Sequence, residues 1–219
     1  MVMVSEWRGR LRNYIPSITD TLADVAVINA ARDFCKETLL WEKNLDLFDV
    51  TQDVQNYDLT ISIPTAFQAD IVRVESVYAD GNKLDPIHRE VFDEEYKDTS
   101  SFPTEDPEEY FVDEEMVMWV LPKPSVTISG GFNVSAALKP SRTATVVPNF
   151  LERDHFETIK DGALANLFEN KTAKWFNADF ALYYRSEFET AIEKLKSKKG
   201  KGNTPGRIIR SGRPGVGWP

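Results

Sequence analysis

The sequence predicts an α+β fold: a bundle of one N-terminal and two C-terminal long helices, an inserted small antiparallel β-domain, and an extended C-terminal arm. Three observations carry this. Apolar residues recur at helical spacing near both ends of the body, the period falls to two between them, and charge separates sharply along the chain. Of 26 basic and 35 acidic residues, eight basic and no acidic ones lie in Lys194–Pro219. Body and tail are therefore about −17 and +8, together the chain's −9.

The first long helix is expected from about Asp20 to Leu40, with Ser17 and Asp20 forming a capping-box-like start after Pro16. Leu22, Val25, Ile28, Ala31 and Cys35 mark one apolar stripe, and Val27, Ala30 and Phe34 a second. Two stripes imply contacts on two sides, within a bundle or with a neighbouring subunit. Trp41 anchors the helix end.

Between about Leu45 and Leu138 the pattern is that of strands. Tyr57, Leu59, Ile61 and Ile63 alternate with polar residues and stop at Pro64. IVRVESVYADGNKLDPI reads as strand, turn, strand, with Asp80-Gly81 as the turn. A short helix covers REVFDEEY. YFVDEEMVMWVLP is a second hairpin turning near Asp113-Glu114, with Trp119 half buried. SVTISGGFNVSAAL is a last strand carrying a Gly130-Gly131 bulge.

Helices return at Pro148. Asn149 is expected to cap one running to about Asn170, with Gly162 admitting another element closely. Asn177 caps the last, about Ala178 to Ser197, striped by Phe180, Tyr184, Phe188, Ala191 and Leu195. Trp175 anchors the turn between them. The resulting division is 1–43 with 148–197 for the helical part, 44–147 for the β-domain and 198–219 for the arm.

Catalytic signatures are absent. His88 and His155 lie on different predicted elements and belong to no HExxH motif, so they read as surface or interface residues. There is no GxSxG elbow, Walker loop or GxGxxG after a strand. Cys35 has no basic pair or CxxC around it and reads as a small buried residue. The expectation is a non-enzyme with no cofactor and no metal. A hydrolase acting through the acidic loop ranks last, because no base–nucleophile pair supports it.

The segment from Asp93 to Glu115 holds 11 acidic residues and Lys97 as its one basic residue. Asp93, Glu94, Glu95, Glu105, Asp106, Glu108 and Glu109 form its candidate patch. It is a solvated loop, a dock for a basic partner, or a wall that repels DNA; the spacing is not that of an EF-hand. The arm, KLKSKKGKGNTPGRIIRSGRPGVGWP, takes six of the chain's 11 glycines and cannot bury a core of its own. A solubilising tail needs neither the Ile208-Ile209 pair between Arg207 and Arg210 nor Arg213 and the terminal Trp218. A recognition arm that orders on binding does. A nucleic-acid-binding module using this arm is the alternative. No apolar run is long enough to span a bilayer, and the N-terminus lacks the features of a signal peptide. A soluble chain with no membrane partner is expected.

Four stretches resemble the portal-to-tail adaptor (head–tail connector) proteins of tailed bacteriophages, short-tailed ones above all. They are AARDFCKETLLW, DLTISIPTAFQADIVRVESVYADGNKLDPI, ALKPSRTATVVPNFLERDHFETIKDGALANLF and WFNADFALYYRSEFETAIEKLK. The likeness covers about Ile15 to Lys196 and lies in the order of the pieces. The resemblance implies a ring, usually of twelve copies, beneath the portal protein in the neck of the virion, assembled in the host cytoplasm. Helical parts pack side by side and the β-domain faces nozzle and fibre proteins. The C-terminal extension grips the portal, and the genome passes through the lumen during ejection without specific binding. The arm lies outside the matched stretches, so its portal role is carried over by position.

Overall fold

The computed structural model describes residues 1–95 and 104–199. The chain begins with strand β1 (Val2–Met3), a 3-10 turn over Val4–Trp7 and helix α1 (Arg8–Tyr14). Val4, Trp7, Leu11 and Ile15 recur at helical spacing, and all four are buried. The Trp7 ring stacks on Phe156 with centroids 5.3 Å apart.

Helix α2 (Asp20–Thr38) is capped by Thr19, whose hydroxyl accepts the Leu22 amide at 3.4 Å. The expected box of Ser17 and Asp20 is thus corrected. Asp20 sits in the first turn, where a carboxylate suits the helix dipole, and pairs with Arg8 at 3.0 Å and with Arg12. The helix ends because Leu39 takes a left-handed conformation, φ 52°, and returns its amide to the Cys35 carbonyl. Thr38 is buried and satisfied by donating to the Phe34 carbonyl at 2.7 Å.

The β-part begins with β2 (Glu42–Asn44), β3 (Phe48–Val50) and β4 (Asn56–Asp58). The alternation of Tyr57, Leu59, Ile61 and Ile63 does not become one strand. Asp58 Oδ1 accepts the Thr60 amide at 2.8 Å and its hydroxyl at 2.6 Å, a local turn that competes with the ladder. A 3-10 turn over Thr60–Ser62 follows; Leu59 is buried while Ile61 is 82% exposed.

Strand β5 (Ala69–Ala79) turns at Asp80-Gly81 into β6 (Asn82–Lys83). Both turn residues have positive φ, 48° and 80°, as a primed hairpin turn requires. Next come β7 (Asp85–Pro86), α3 (Arg89–Glu95), β8 (Thr104–Glu105), β9 (Glu109–Val112), β10 (Val117–Leu121) and β11 (Lys123–Pro124). The β9–β10 turn is built by Asp113, whose Oδ1 accepts the amides of Glu115 and Val117, each at 2.9 Å. Strand β12 (Ile128–Pro140) pairs antiparallel with β5 from Phe132↔Ala79 to Pro140↔Ala69, with β2 and β3 on its other side. The register against β3 shifts across the glycine pair. Gly130 has φ 62°, and a Cβ on Gly131 would stand 2.7 Å from a Val50 methyl. A second sheet orders β4-β10-β9-β7, and β13 (Val146–Val147) pairs with β1.

Helix α4 (Asn149–Phe168) starts with Pro148 at the cap position, so Asn149 is its first helical residue and not its cap. Helix α5 (Ala178–Lys199) is capped as expected: Asn177 Oδ1 accepts the amides of Asp179 and Phe180 at 3.0 Å. Trp175 fixes the intervening turn by donating Nε1–H to the Leu167 carbonyl at 3.1 Å. Gly162 marks where α2, α4 and α5 meet. A Cβ there would lie 2.8 Å from the Phe188 ring and 3.0 Å from the Ala30 Cβ. Helix α4 runs against the other two, so the C-terminal ends of α2 and α5 come together and Lys196 pairs with Glu37 at 2.7 Å. An α+β fold with five described helices and mostly antiparallel sheets results.

One apolar core runs from Trp7 and Leu11 through Ala30 and Phe34 to Phe132 and Leu138. A small satellite joins Phe92, Phe111 and Leu121 under Trp119. His155 occupies a kink in α4, φ −133° and ψ 19°, with its ring 4.8 Å from Phe34. Burial pushes its pKa below the ordinary value, and Asp154 opposes this only in part. The unfolded chain therefore binds the proton more readily than the folded one. Stability is full above the unfolded-state pKa of about 6.5 and is lost as pH falls through the depressed folded-state value. The expected result is that His155→Gln flattens this acid-side loss; urea denaturation of both proteins across pH 5–8 checks it.

Candidate docking surfaces

The described surface offers three features, each placed by an element boundary. The first is an apolar helix end. Phe176, Phe180, Leu182 and Tyr183 are 43%, 52%, 71% and 58% exposed around the start of α5. Their rings are set by packing: Phe180 lies 5.4 Å from Phe168, and Tyr183 meets Tyr184 edge-on at 5.1 Å. Tyr14 extends the cluster, meeting Tyr184 at 6.0 Å. Part of the predicted α5 stripe thus faces solvent at Phe180 while Phe188 is buried. On α2, Leu22 and Val25 are likewise exposed, whereas Ile28, Ala31 and Cys35 from the same predicted stripe are buried.

The second is a cationic cleft between α2, the end of β12 and α4, lined by Arg32, Lys36, Lys139 and Arg142. Arg32 is fixed: its Nη1 donates to Asp70 at 2.9 Å and to the Pro140 carbonyl. The side chains of Lys36, Lys139 and Arg142 make no hydrogen bond or ion pair with another described residue. Asp33 lines the same cleft; burial pushes its carboxyl above the usual range, against Arg185, Lys36 and Arg32. Sequence reading missed this site, because its members come from three separated segments.

The third is the acidic end. Glu105, Asp106 and Glu108 are exposed and Glu109 is half buried on β9. Glu108 accepts the Asp85 amide at 2.8 Å through its carbonyl, and Asp106 accepts from the Ser125 hydroxyl at 3.3 Å. Asp106 lines one pocket with Asp80. Asp93, Glu94 and Glu95 fall on the last turn of α3. The arm residues Arg207, Ile208, Ile209, Arg210, Arg213 and Trp218 lie outside the described residues.

Titratable chemistry is sparse. Cys35 is fully buried, and burial pushes its thiol up, away from the thiolate that reactivity needs. His88 is exposed and His155 half buried, on different elements. No group of three or more His, Cys, Asp or Glu among the described residues is arranged to hold a metal ion. No described helix is long and apolar enough to cross a membrane.

The described body thus presents an apolar helix end, a cationic cleft and an acidic edge. The family model for SU10 adaptor protein matches residues 4–210, and the chain belongs to that family. It is therefore a bacteriophage adaptor, a structural protein that contacts other phage structural proteins. No curated protein matches the chain.

Proposed function

We propose that this adaptor forms a ring, of twelve copies, that joins the portal vertex to the tail of a short-tailed phage. The genome leaves through its lumen. The observation that carries this reading is the family match, which runs from Val4 to Arg210 and so takes in the body and the first part of the basic segment. The helical part, 1–43 with 148–197, packs side by side around the ring. The β-part, 44–147, faces nozzle and fibre proteins, and 198–219 is the arm that grips the portal. The exposed apolar end of α5 and the exposed Leu22 and Val25 of α2 supply lateral contact. A body of about −17 lets DNA slide, since its phosphates release few counterions there.

Truncation after Lys199 tests the arm. It removes the segment beyond α5 and leaves every residue of the described core in place. The expected result is an unchanged melting temperature and at least a tenfold weaker affinity for portal rings, about 1.4 kcal/mol or more. Unchanged portal affinity removes the arm from the account. Steeply salt-dependent DNA binding lost on the same truncation would favour the nucleic-acid module instead.

A further inference from the structure

We propose that the cationic cleft of one copy receives the acidic end of the next copy, making head-to-tail contact between subunits. The proposal rests on the ring reading above and names the surfaces that close it. Three cations, Lys36, Lys139 and Arg142, face one cleft without an ion pair among the described residues. Elsewhere on the described surface Arg8, Arg12, Arg73, Arg153 and Lys160 have carboxylate partners, while Lys43, Lys83, Lys171 and Lys174 make no ion pair either; the cleft is set apart by gathering its three cations in one place. In a body of 18 basic and 35 acidic residues, three cations facing the single carboxyl of Asp33 leave the cleft an excess of positive charge that suits an external anion.

The chain itself supplies that anion, but out of its own reach. Asp70, which stands opposite Lys139 in strand register and accepts from Arg32, lies at the cleft near the start of β5, and Ala79 closes β5 beside Asp80 and Asp106. Nine residue steps at about 3.3 Å separate the two ends by roughly 30 Å. Glu105, Asp106 and Glu108 therefore meet Lys36 and Arg142 only across two molecules. Unlike surfaces at opposite ends give a heterologous contact, and such contacts close into rings when the rotation allows.

A carboxylate-bearing protein segment suits the cleft better than a nucleic-acid backbone does. Asp33, Asn29 and Asn166 also line it, and they offer acceptors that peptide N–H groups satisfy. Phosphodiesters carry no donor for these acceptors, whereas a peptide segment brings backbone N–H groups beside its carboxylates. The net charge of the body repels DNA further.

The test is a charge swap in the full-length chain. One protein carries Lys36→Glu and Arg142→Glu; a second carries Glu105→Lys and Asp106→Lys. All four residues are exposed, and far-UV circular dichroism with melting checks that both proteins fold. Two readouts are taken: ring assembly on portal rings, and self-association of the free chain at low ionic strength by sedimentation equilibrium. Each variant alone is expected to lose at least tenfold in both, because reversed cleft and unreversed end now repel. An equimolar mixture is expected to recover, since each variant's cleft then complements the other's end; a general folding defect gives no such recovery. Wild-type behaviour of either variant, or a mixture that stays unassembled, overturns the proposal. So does binding of a short duplex DNA that Lys36→Glu/Arg142→Glu abolishes while assembly is unchanged. Rings that survive both reversals leave the adaptor reading standing. Absence of rings in the wild type removes that reading, while low-salt pairing of the two variants still decides the cleft.

Discussion

Gly162→Leu is expected to lower the stability of the body by about 3 kcal/mol, at the upper end of what overpacking a core costs. At this position even a Cβ would stand 2.8 Å from the Phe188 ring and 3.0 Å from the Ala30 Cβ. Phe188 and Ala30 are themselves 3% and 0% exposed, so neither has solvent to move into. The remaining atoms of a leucine must separate α5 from α2 and α4. Against a total of about 5–15 kcal/mol the loss is large, and it lowers Tm by roughly 6–12 °C for a domain of this size. Gly162→Ala is milder, because a helix-propensity gain of about 1 kcal/mol offsets part of the clash. Calorimetry of the three proteins checks the order. A leucine variant as stable as the wild type would mean that the three helices do not meet at Gly162.

The second large effect is on assembly and leaves the fold alone. Leu182→Glu with Tyr183→Glu places two carboxylates on the apolar end of α5, at positions 71% and 58% exposed. The monomer keeps its Tm to within a few degrees, since surface changes of this kind cost about 0.5 kcal/mol or less. In a ring each lateral contact would bury unpaired charge at about 2 kcal/mol or more, some thirtyfold per contact. The expectation is a folded monomer that forms no ring on the portal. Electron microscopy of portal rings mixed with the variant decides it; closed adaptor rings would move the lateral contact elsewhere.

How far the chain was legible depends on the range of the forces involved. Short-range signals read well. The Asp80-Gly81 turn and the Asn177 cap rest on chemistry within a few residues, and the Gly130-Gly131 pair and Trp175 are local marks of a bend and a turn. Thr19 displaces the expected Ser17–Asp20 cap through a single hydroxyl, a choice that position alone does not reveal. Between Tyr57 and Ile63 the period-two pattern misled, because Asp58 captures the Thr60 amide and turns the chain. The helical spacing of Val4, Trp7, Leu11 and Ile15 is present in the sequence, yet arginines between them dilute it. Of the candidate surfaces, the acidic segment was readable as a run of charge. The cationic cleft was not, since Arg32, Lys36, Lys139 and Arg142 converge only when β12 returns to α2.

The central claim is that this chain becomes a ring by docking on a portal. Its most direct test is the native mass of the chain alone and after mixing with portal rings at ordinary ionic strength. The account predicts a monomer alone and, with portal, one added complex holding a full ring of adaptor copies. An unchanged monomer in the presence of portal rings would contradict it.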